Sequence, residues 1–165
     1  MEHCKLQIGC MIFLLYIAYI YLGECKRYHK SLKDTMFDEL LILGIISVTL
    51  DGITAFTVNH LDLVNPILNM ILHALFLIGL DSVVFGYFLY MLYITGIFPK
   101  SRKKRVAIFL PFLVSVVIVV LNIGNLEYRE GVVTNYSMGI SAYTCFAMVA
   151  IYISLSMINS FRSNI

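Results

Sequence analysis

The chain has 165 residues, of which 60% are hydrophobic and 13% charged, and its formal net charge is +2. Ordinary soluble domains carry about 25% charged residues, so this composition excludes a soluble globular protein. Several apolar runs reach the ~20 residues that cross a ~30 Å hydrocarbon core, and no soluble domain remains once they are removed. The sequence therefore predicts one all-α transmembrane domain over residues 1–165, a polytopic helix bundle whose surface contacts the lipid bilayer.

The predicted helices follow the apolar runs in chain order. They cover residues 8–22, 36–59, 66–98, 106–123 and 136–158. Asp34 or Thr35 is expected to cap helix 2, and Asn65 to cap helix 3 with Pro66 in its first position. Pro111 lies in the second turn of helix 4 and should kink that helix or shift its start. A polar segment separates helix 4 from helix 5.

The twelve Lys and Arg residues predict the orientation of these helices. Short basic loops stay on the cytoplasmic side of a membrane. Ten of the twelve lie in three places, which alternate with segments poor in basic residues: Lys26, Arg27, Lys30 and Lys33; Lys100, Arg102, Lys103, Lys104 and Arg105; and Arg162. This alternation predicts five crossings of the plasma membrane, with the N-terminus outside and the C-terminus in the cytoplasm.

Three ionisable residues lie deep inside otherwise lipid-like sequence, namely Asp51, His73 and Asp81. A charge in hydrocarbon costs at least ~2.5 kcal/mol, so such residues indicate function by default. At 1.5 Å per helical residue, Asp51 lies ~12 Å and His73 ~10 Å below the outer ends of their helices. Because helices 2 and 3 are antiparallel neighbours, these two side chains can share a level. Asp81, ~22 Å deep by the same rise, is too far away to join them.

Three interpretations of the Asp51/His73 pair remain open. In the first, a hydrogen bond between them only fixes the register of two helices. In the second, the pair lines an outward-facing ligand pocket together with Asn59 and Asn69. In the third, protons or ions move along Asp51, His73 and Asp81. The five helices show no inverted repeat, which disfavours a transporter.

The motifs of catalysis and of metal or nucleic-acid binding are missing from the sequence. There is no GxSxG, HExxH, P-loop or dinucleotide GxGxxG. Four cysteines, Cys4, Cys10, Cys25 and Cys145, lack metal-ligand spacing and do not indicate a disulfide framework. The basic residues occupy short loops between spans rather than a nucleic-acid-binding face. We therefore expect no enzyme activity, no cofactor, no metal and no nucleic-acid partner.

Short patterns recur along nearly the whole chain: F-x-x-L-L at residues 37–41, L-D-G at 50–52, T-V-N at 57–59, P-x-L-N at 66–69, HALFL at 73–77 and F-L-Y at 88–90. After them come the basic loop, the helix-4 proline and an EYREGVV turn that leads into a Tyr-rich helix 5. Together these patterns resemble the N-terminal multi-helix membrane regions of Clostridia-type diguanylate cyclases.

In that family two further membrane helices usually follow, and then a cytoplasmic GGDEF domain that makes cyclic di-GMP from GTP. This sequence contains no GG[DE]EF motif, so no catalytic or metal residue is carried over. The resemblance implies a membrane-embedded sensory or anchoring module of a bacterial signalling protein, non-catalytic in itself. By the same resemblance, the module is expected either to be truncated before a cytoplasmic output domain or to act through a separate protein. It is also expected to form a homodimer, because such cyclases act as dimers. The alternatives are a purely structural membrane anchor and a proton or solute transporter subunit.

Overall fold

The computed structural model describes residues 4–25, 31–132 and 135–163, with the backbone alone for residues 22–25 and 163. The described residues confirm an all-helical fold with five α-helices. These are Lys5–Cys25 (α1), Leu32–Val58 (α2), Pro66–Ile94 (α3), Arg102–Asn122 (α4) and Ile140–Ser163 (α5). A small antiparallel hairpin of Glu127–Arg129 (β1) and Tyr136–Met138 (β2) lies between α4 and α5. Lys26, Arg27 and Lys30 of the first basic cluster lie outside the described residues.

Four of the helices, α2 to α5, are long and apolar enough to cross a membrane, whereas the apolar stretch of α1 is shorter. Large hydrophobic side chains point away from the protein interior along these helices. Leu121 is 75% exposed and Phe161 72% exposed. A water-soluble monomer rarely exposes contiguous apolar surface of this kind, so this surface is suited to contact with lipid.

Helix α3 is the centre of the bundle. It packs against α2, α4 and α5, while α1 packs on α2 and α4 packs on α5. We call the end that carries the β-hairpin the hairpin end, and the end that carries residues 100–105 the basic end. Toward the basic end, α3 and α5 share an aromatic core of Phe85, Phe88, Leu92, Met148 and Tyr152. Nearer the hairpin end, Leu77, Val119 and Cys145 from three helices form a second apolar cluster.

The start of α2 differs from the prediction. The helix begins at Leu32 rather than near residue 36, because Ser31 is the N-cap and Asp34 the third helical residue. The Asp34 amide donates to Ser31 Oγ at 3.4 Å, and the Ser31 amide donates to Asp34 Oδ2 at 2.7 Å. This reciprocal pair is a capping box, which adds the first turn that the apolar pattern did not reveal.

Both ends of α3 are set by local signals. Asn65 caps its start as predicted, since its Oδ1 accepts from the Ile67 amide at 2.9 Å and Pro66 occupies the first turn. The predicted end at residue 98 is wrong. Gly96 adopts φ +72, and the amides of Gly96 and Ile97 each donate back at 3.1 Å, to Tyr93 and Leu92. This Schellman-type arrangement ends α3 at Ile94, so the helix is ~44 Å long at 1.5 Å per residue.

Helix α4 begins at Arg102, one turn before the predicted residue 106, so most of the basic loop is helical. The helix also continues through Pro111, which was expected to kink it or shift its start. Proline cannot donate to the carbonyl four residues earlier. The neighbouring carbonyl of Ile108 accepts the Tyr152 hydroxyl at 3.1 Å, which ties this part of α4 to α5.

Helix α5 begins at Ile140 and not at the predicted residue 136. Residues 136–138 form β2 instead, with Tyr128 opposite Ser137 in the hairpin. Gly139 then turns the chain into α5 with φ +134, and a Cβ at this position would lie 3.0 Å from the Asn125 carbonyl oxygen. A residue with a side chain rarely adopts this backbone conformation, so glycine allows the strand to join the helix directly.

Candidate functional site

A cavity of about 220 Å³ lies beneath the hairpin at the hairpin end of the bundle. Side chains from α1, α2, α3, α5 and the hairpin segment all line it. The polar part of the lining consists of Gln7, Asp51, Thr54, His73, Asn135 and Ser137. The cavity thus brings together Asp51 and His73, the two residues that helix geometry predicted to share a level.

His73 is held in one orientation by its own helix and by the hairpin. The side chain is 2% exposed, and its Nδ1 lies 2.9 Å from the carbonyl oxygen of Asn69, one turn earlier. A carbonyl oxygen only accepts, so Nδ1 carries the proton and Nε2 of the neutral ring is an acceptor. The Tyr128 ring lies edge-on to the imidazole, with 5.4 Å between ring centroids. Within the described part of the chain, Nε2 makes no hydrogen bond.

Asp51 and His73 face the cavity without a direct bond between them. Among the described residues, no hydrogen bond or ion pair joins the two side chains. The side chain of Gln7 on α1 lies beside the Asp51 carboxyl group, and both residues line the cavity. Among the described residues, the structure therefore lacks the Asp51–His73 hydrogen bond that the helix-register interpretation requires.

Asn59 and Asn135 hold the hairpin over the cavity through hydrogen bonds to α2. The side-chain oxygen of Asn59 accepts from the Asn135 backbone amide at 3.0 Å. The Asn135 side-chain amide in turn donates to the Val58 carbonyl at 3.3 Å. These bonds link the hairpin segment to the last turn of α2, where carbonyl groups have no partner within the helix. They place Asn135 and Ser137 against the cavity.

Several buried polar atoms at the hairpin end have no protein partner among the described residues. They are Gln7 Oε1, Asn69 Oδ1 and Tyr128 Oη. Leaving a buried donor or acceptor unsatisfied costs about 1–3 kcal/mol, so such groups in folded proteins usually bind water or a ligand. Burial raises the pKa of the Tyr128 phenol, so this group stays neutral and remains a hydrogen-bond donor. Of these three residues only Gln7 lines the cavity, so its unsatisfied oxygen is the one that indicates a hydrogen-bond donor as the occupant.

The other residues predicted for the site lie elsewhere. Asn59 is the C-cap of α2 and holds the hairpin, and Asn69 is 1% exposed and supplies the carbonyl that orients His73. Neither is among the residues that line the cavity. The cavity includes Gln7, which lies before the predicted start of helix 1, and Asn135 and Ser137 from the polar segment. In the sequence, Gln7, Asn135 and Ser137 differ from the neighbouring apolar runs only in being polar, and no other signal indicates that they belong to the site.

Asp81 lies apart from the cavity, as its predicted depth requires. The Ser115 hydroxyl donates to its Oδ2 at 2.5 Å, and both side chains are at most 2% exposed. Leu77 is on the same face of α3 between His73 and Asp81, where it packs with Val119 and Cys145. This apolar cluster separates the cavity from Asp81.

No metal site is evident among the residues that the structure describes, where no three His, Cys, Asp or Glu side chains converge. No family model, curated protein or solved structure matches the chain. Any function for the site must therefore be argued from its own geometry.

Proposed function

We propose that the chain is a membrane-embedded sensory module, non-catalytic in itself, whose binding site is the cavity beneath the hairpin. The observation that carries this proposal is the convergence of four helices and the hairpin on one cavity, whose lining includes Asp51, His73 and a Gln7 side chain with an unsatisfied oxygen. An occupant would contact all of these elements at once. It would thereby change how they sit relative to one another, which is what a sensor requires.

The proposed signal travels along α3 and α5. Both helices contribute to the cavity, through His73 and Phe146, and both continue to the basic end. There they share the aromatic core, in which the ring centroids of Phe88 and Tyr152 are 5.3 Å apart. Tightly packed side chains transmit small displacements because the interior has little free volume. A shift of α3 against α5 at the cavity would therefore also displace the two helices relative to each other at the basic end.

We place the hairpin end outside the cell and the basic end in the cytoplasm of a bacterium. The exposed basic residues at 100, 102, 103, 104 and 105 support this orientation, since such segments are retained in the cytoplasm. At the hairpin end, Arg129 is paired with Glu127 at 3.1 Å. The cavity then faces the exterior, and α5 ends on the cytoplasmic side, where an output domain or protein would attach.

The resemblance to the membrane regions of diguanylate cyclases suggests cyclic di-GMP synthesis as the output. This synthesis would belong to a cytoplasmic domain or partner, and dimerisation of the bundle would bring two such domains together. The transporter alternative is disfavoured by the apolar cluster of Leu77, Val119 and Cys145, because Leu77 lies between His73 and Asp81 on α3. In the anchor alternative, the cavity has no occupant and serves no signal.

A reporter fusion tests the proposal. A GGDEF cyclase domain is joined after Ile165, and cyclic di-GMP is measured in cells that contain equal amounts of each membrane-inserted fusion. Asp51→Ala and His73→Ala should each change the cyclic di-GMP level about fivefold or more, the low end of usual allosteric coupling. Asp62→Ala, at an exposed position in the loop between α2 and α3, is the matched control and should leave the level unchanged. If Asp51→Ala and His73→Ala behave like the control, the cavity is not a sensory site.

A further inference from the structure

We infer that the cavity beneath the hairpin binds a small organic cation with N–H donors, a primary alkylammonium. This inference rests on the proposed function in one respect, namely that the cavity is a ligand site. It goes further by assigning the chemical class of the ligand from the hydrogen-bonding and charge properties of the lining.

Three residues with hydrogen-bond acceptors, on three different helices, line the cavity. Asp51 contributes a carboxylate from α2, and His73 contributes Nε2 from α3, because its Nδ1 proton is used on the Asn69 carbonyl. Gln7 contributes Oε1 from α1, a buried oxygen without a partner among the described residues. A primary ammonium group has three N–H donors and no acceptor. Its donors match these three acceptors in number and in kind.

The charge of the lining favours a cation over an anion. Asp51 is the one carboxylate among the described lining residues, and none of them is Lys or Arg. An anion would therefore be buried beside a carboxylate without a fixed positive charge to offset it. The aromatic residues Phe76, Tyr136 and Phe146 also line the cavity. Aromatic faces attract ammonium groups, and the attraction is stronger where water is excluded.

The volume restricts the ligand to a few heavy atoms. At about 220 Å³ the cavity is smaller than the ~300–1,000 Å³ of sites for drug-sized molecules. Leu77 and Ala142 add apolar surface beside the aromatic residues, so a short alkyl chain suits the remainder of the space. n-Propylammonium combines the donor group with such a chain and is the probe for the test.

The test is thermal unfolding of the full chain in lipid nanodiscs, titrated with n-propylammonium chloride at constant ionic strength. We expect a saturable rise in the unfolding temperature, since a ligand that binds only the folded state stabilises it. Tetramethylammonium has the same charge but no N–H donor, and n-propanol has a donor but no charge. Both, together with sodium acetate, should give at least a tenfold weaker effect.

Variants connect the effect to the cavity. Asp51→Asn should weaken n-propylammonium binding at least tenfold, and Gln7→Leu should weaken it severalfold. Asp62→Asn, in the exposed loop, should bind like the wild type. If Asp51→Asn does not fold, Gln7→Leu alone decides. Equal effects of n-propylammonium and tetramethylammonium, the absence of a saturable shift, or wild-type affinity in Gln7→Leu would each overturn the inference.

The two proposals fail in different ways. If the GGDEF fusion responds to Asp51→Ala and His73→Ala while n-propylammonium does not bind, the ligand class is wrong and the sensory site stands. If n-propylammonium binds as expected while the fusion ignores both substitutions, the cavity is a binding site without a sensory role.

Discussion

Replacing Ser115 with alanine removes the hydrogen bond that joins α4 to Asp81 of α3 in the bundle interior. The bond is short, at 2.5 Å, and Ser115 and Asp81 are 1% and 2% exposed, so water cannot replace the lost hydroxyl. Asp81 Oδ1 already lacks a partner among the described residues, so the substitution leaves the whole carboxyl group poorly satisfied. Hydrogen bonds between membrane helices average ~0.6 kcal/mol with a maximum of ~1.7, and leaving a buried polar group without its partner costs ~1–3 kcal/mol. We expect Ser115→Ala to lower the free energy of unfolding by about 1.5 kcal/mol.

The assay is reversible unfolding in mixed micelles, with the denaturing detergent sodium dodecyl sulfate as the titrant. A double-mutant cycle of Ser115→Ala and Asp81→Ala should give a coupling energy of about 1–1.5 kcal/mol, because the two residues share one interaction. The matched control is Ser156→Ala. Ser156 is also buried, but its hydroxyl donates within its own helix to Tyr152 at 2.8 Å, so its coupling to Asp81 should be near zero. Coupling energies that are the same for Ser115 and Ser156 would refute the reasoning.

Three further predictions concern the hairpin and the helix ends. Gly139→Ala should destabilise the fold by about 1–3 kcal/mol, because φ is +134 and the new Cβ would meet the Asn125 carbonyl. The control Gly124→Ala should have little effect in the same unfolding assay, because a Cβ at residue 124 has open space. Asn59→Ala removes the acceptor for the Asn135 amide and should speed hydrogen exchange in the hairpin, as measured by mass spectrometry. The control is Asn122→Ala, which should leave this exchange unchanged because the Asn122 side chain bonds its own helix. Equal exchange rates in the two variants would contradict the role of Asn59. Ser31→Ala should lower the free energy of unfolding by about 1 kcal/mol through loss of the capping box, and an unchanged value would show that the box contributes nothing.

The helices could be predicted from the sequence because each is a long apolar run. Several of their ends were predicted less well, because hydrogen bonds rather than hydrophobicity set them; the start of α3 at Asn65 and Pro66 is an exception that the sequence did reveal. The capping box at Ser31 and the left-handed Gly96 are local patterns that could have been recognised at the outset. The hairpin could not, since three-residue strands acquire stability from α2 and α5 rather than from their own sequence.

The meeting of Asp51 and His73 at one level was predictable for a different reason. Polar residues are rare in lipid-like helices, and a fixed rise per residue gives their depth, so Asp51 and His73 could be brought to one level. The position of Gln7 depends on how α1 packs against α2, which no periodicity specifies. Asn59 and Asn69 lie at the hairpin end of the bundle, near the cavity, but the direction of a side chain decides whether it lines the cavity. Asn59 fastens the hairpin and Asn69 orients His73 instead of lining the cavity.

The central claim is that the state of the cavity beneath the hairpin is coupled to the basic end of the bundle. Pulsed electron–electron spin resonance on the full chain in nanodiscs tests this claim directly. Spin labels replace two exposed residues, Ile94 at the end of α3 and Arg162 near the end of α5, after the labelling-competent cysteines have been changed to serine. We predict that Asp51→Ala and His73→Ala shift the distance distribution between the labels, while Asp62→Ala leaves it unchanged. Distributions that coincide for the wild type, both cavity variants and the control would contradict the account.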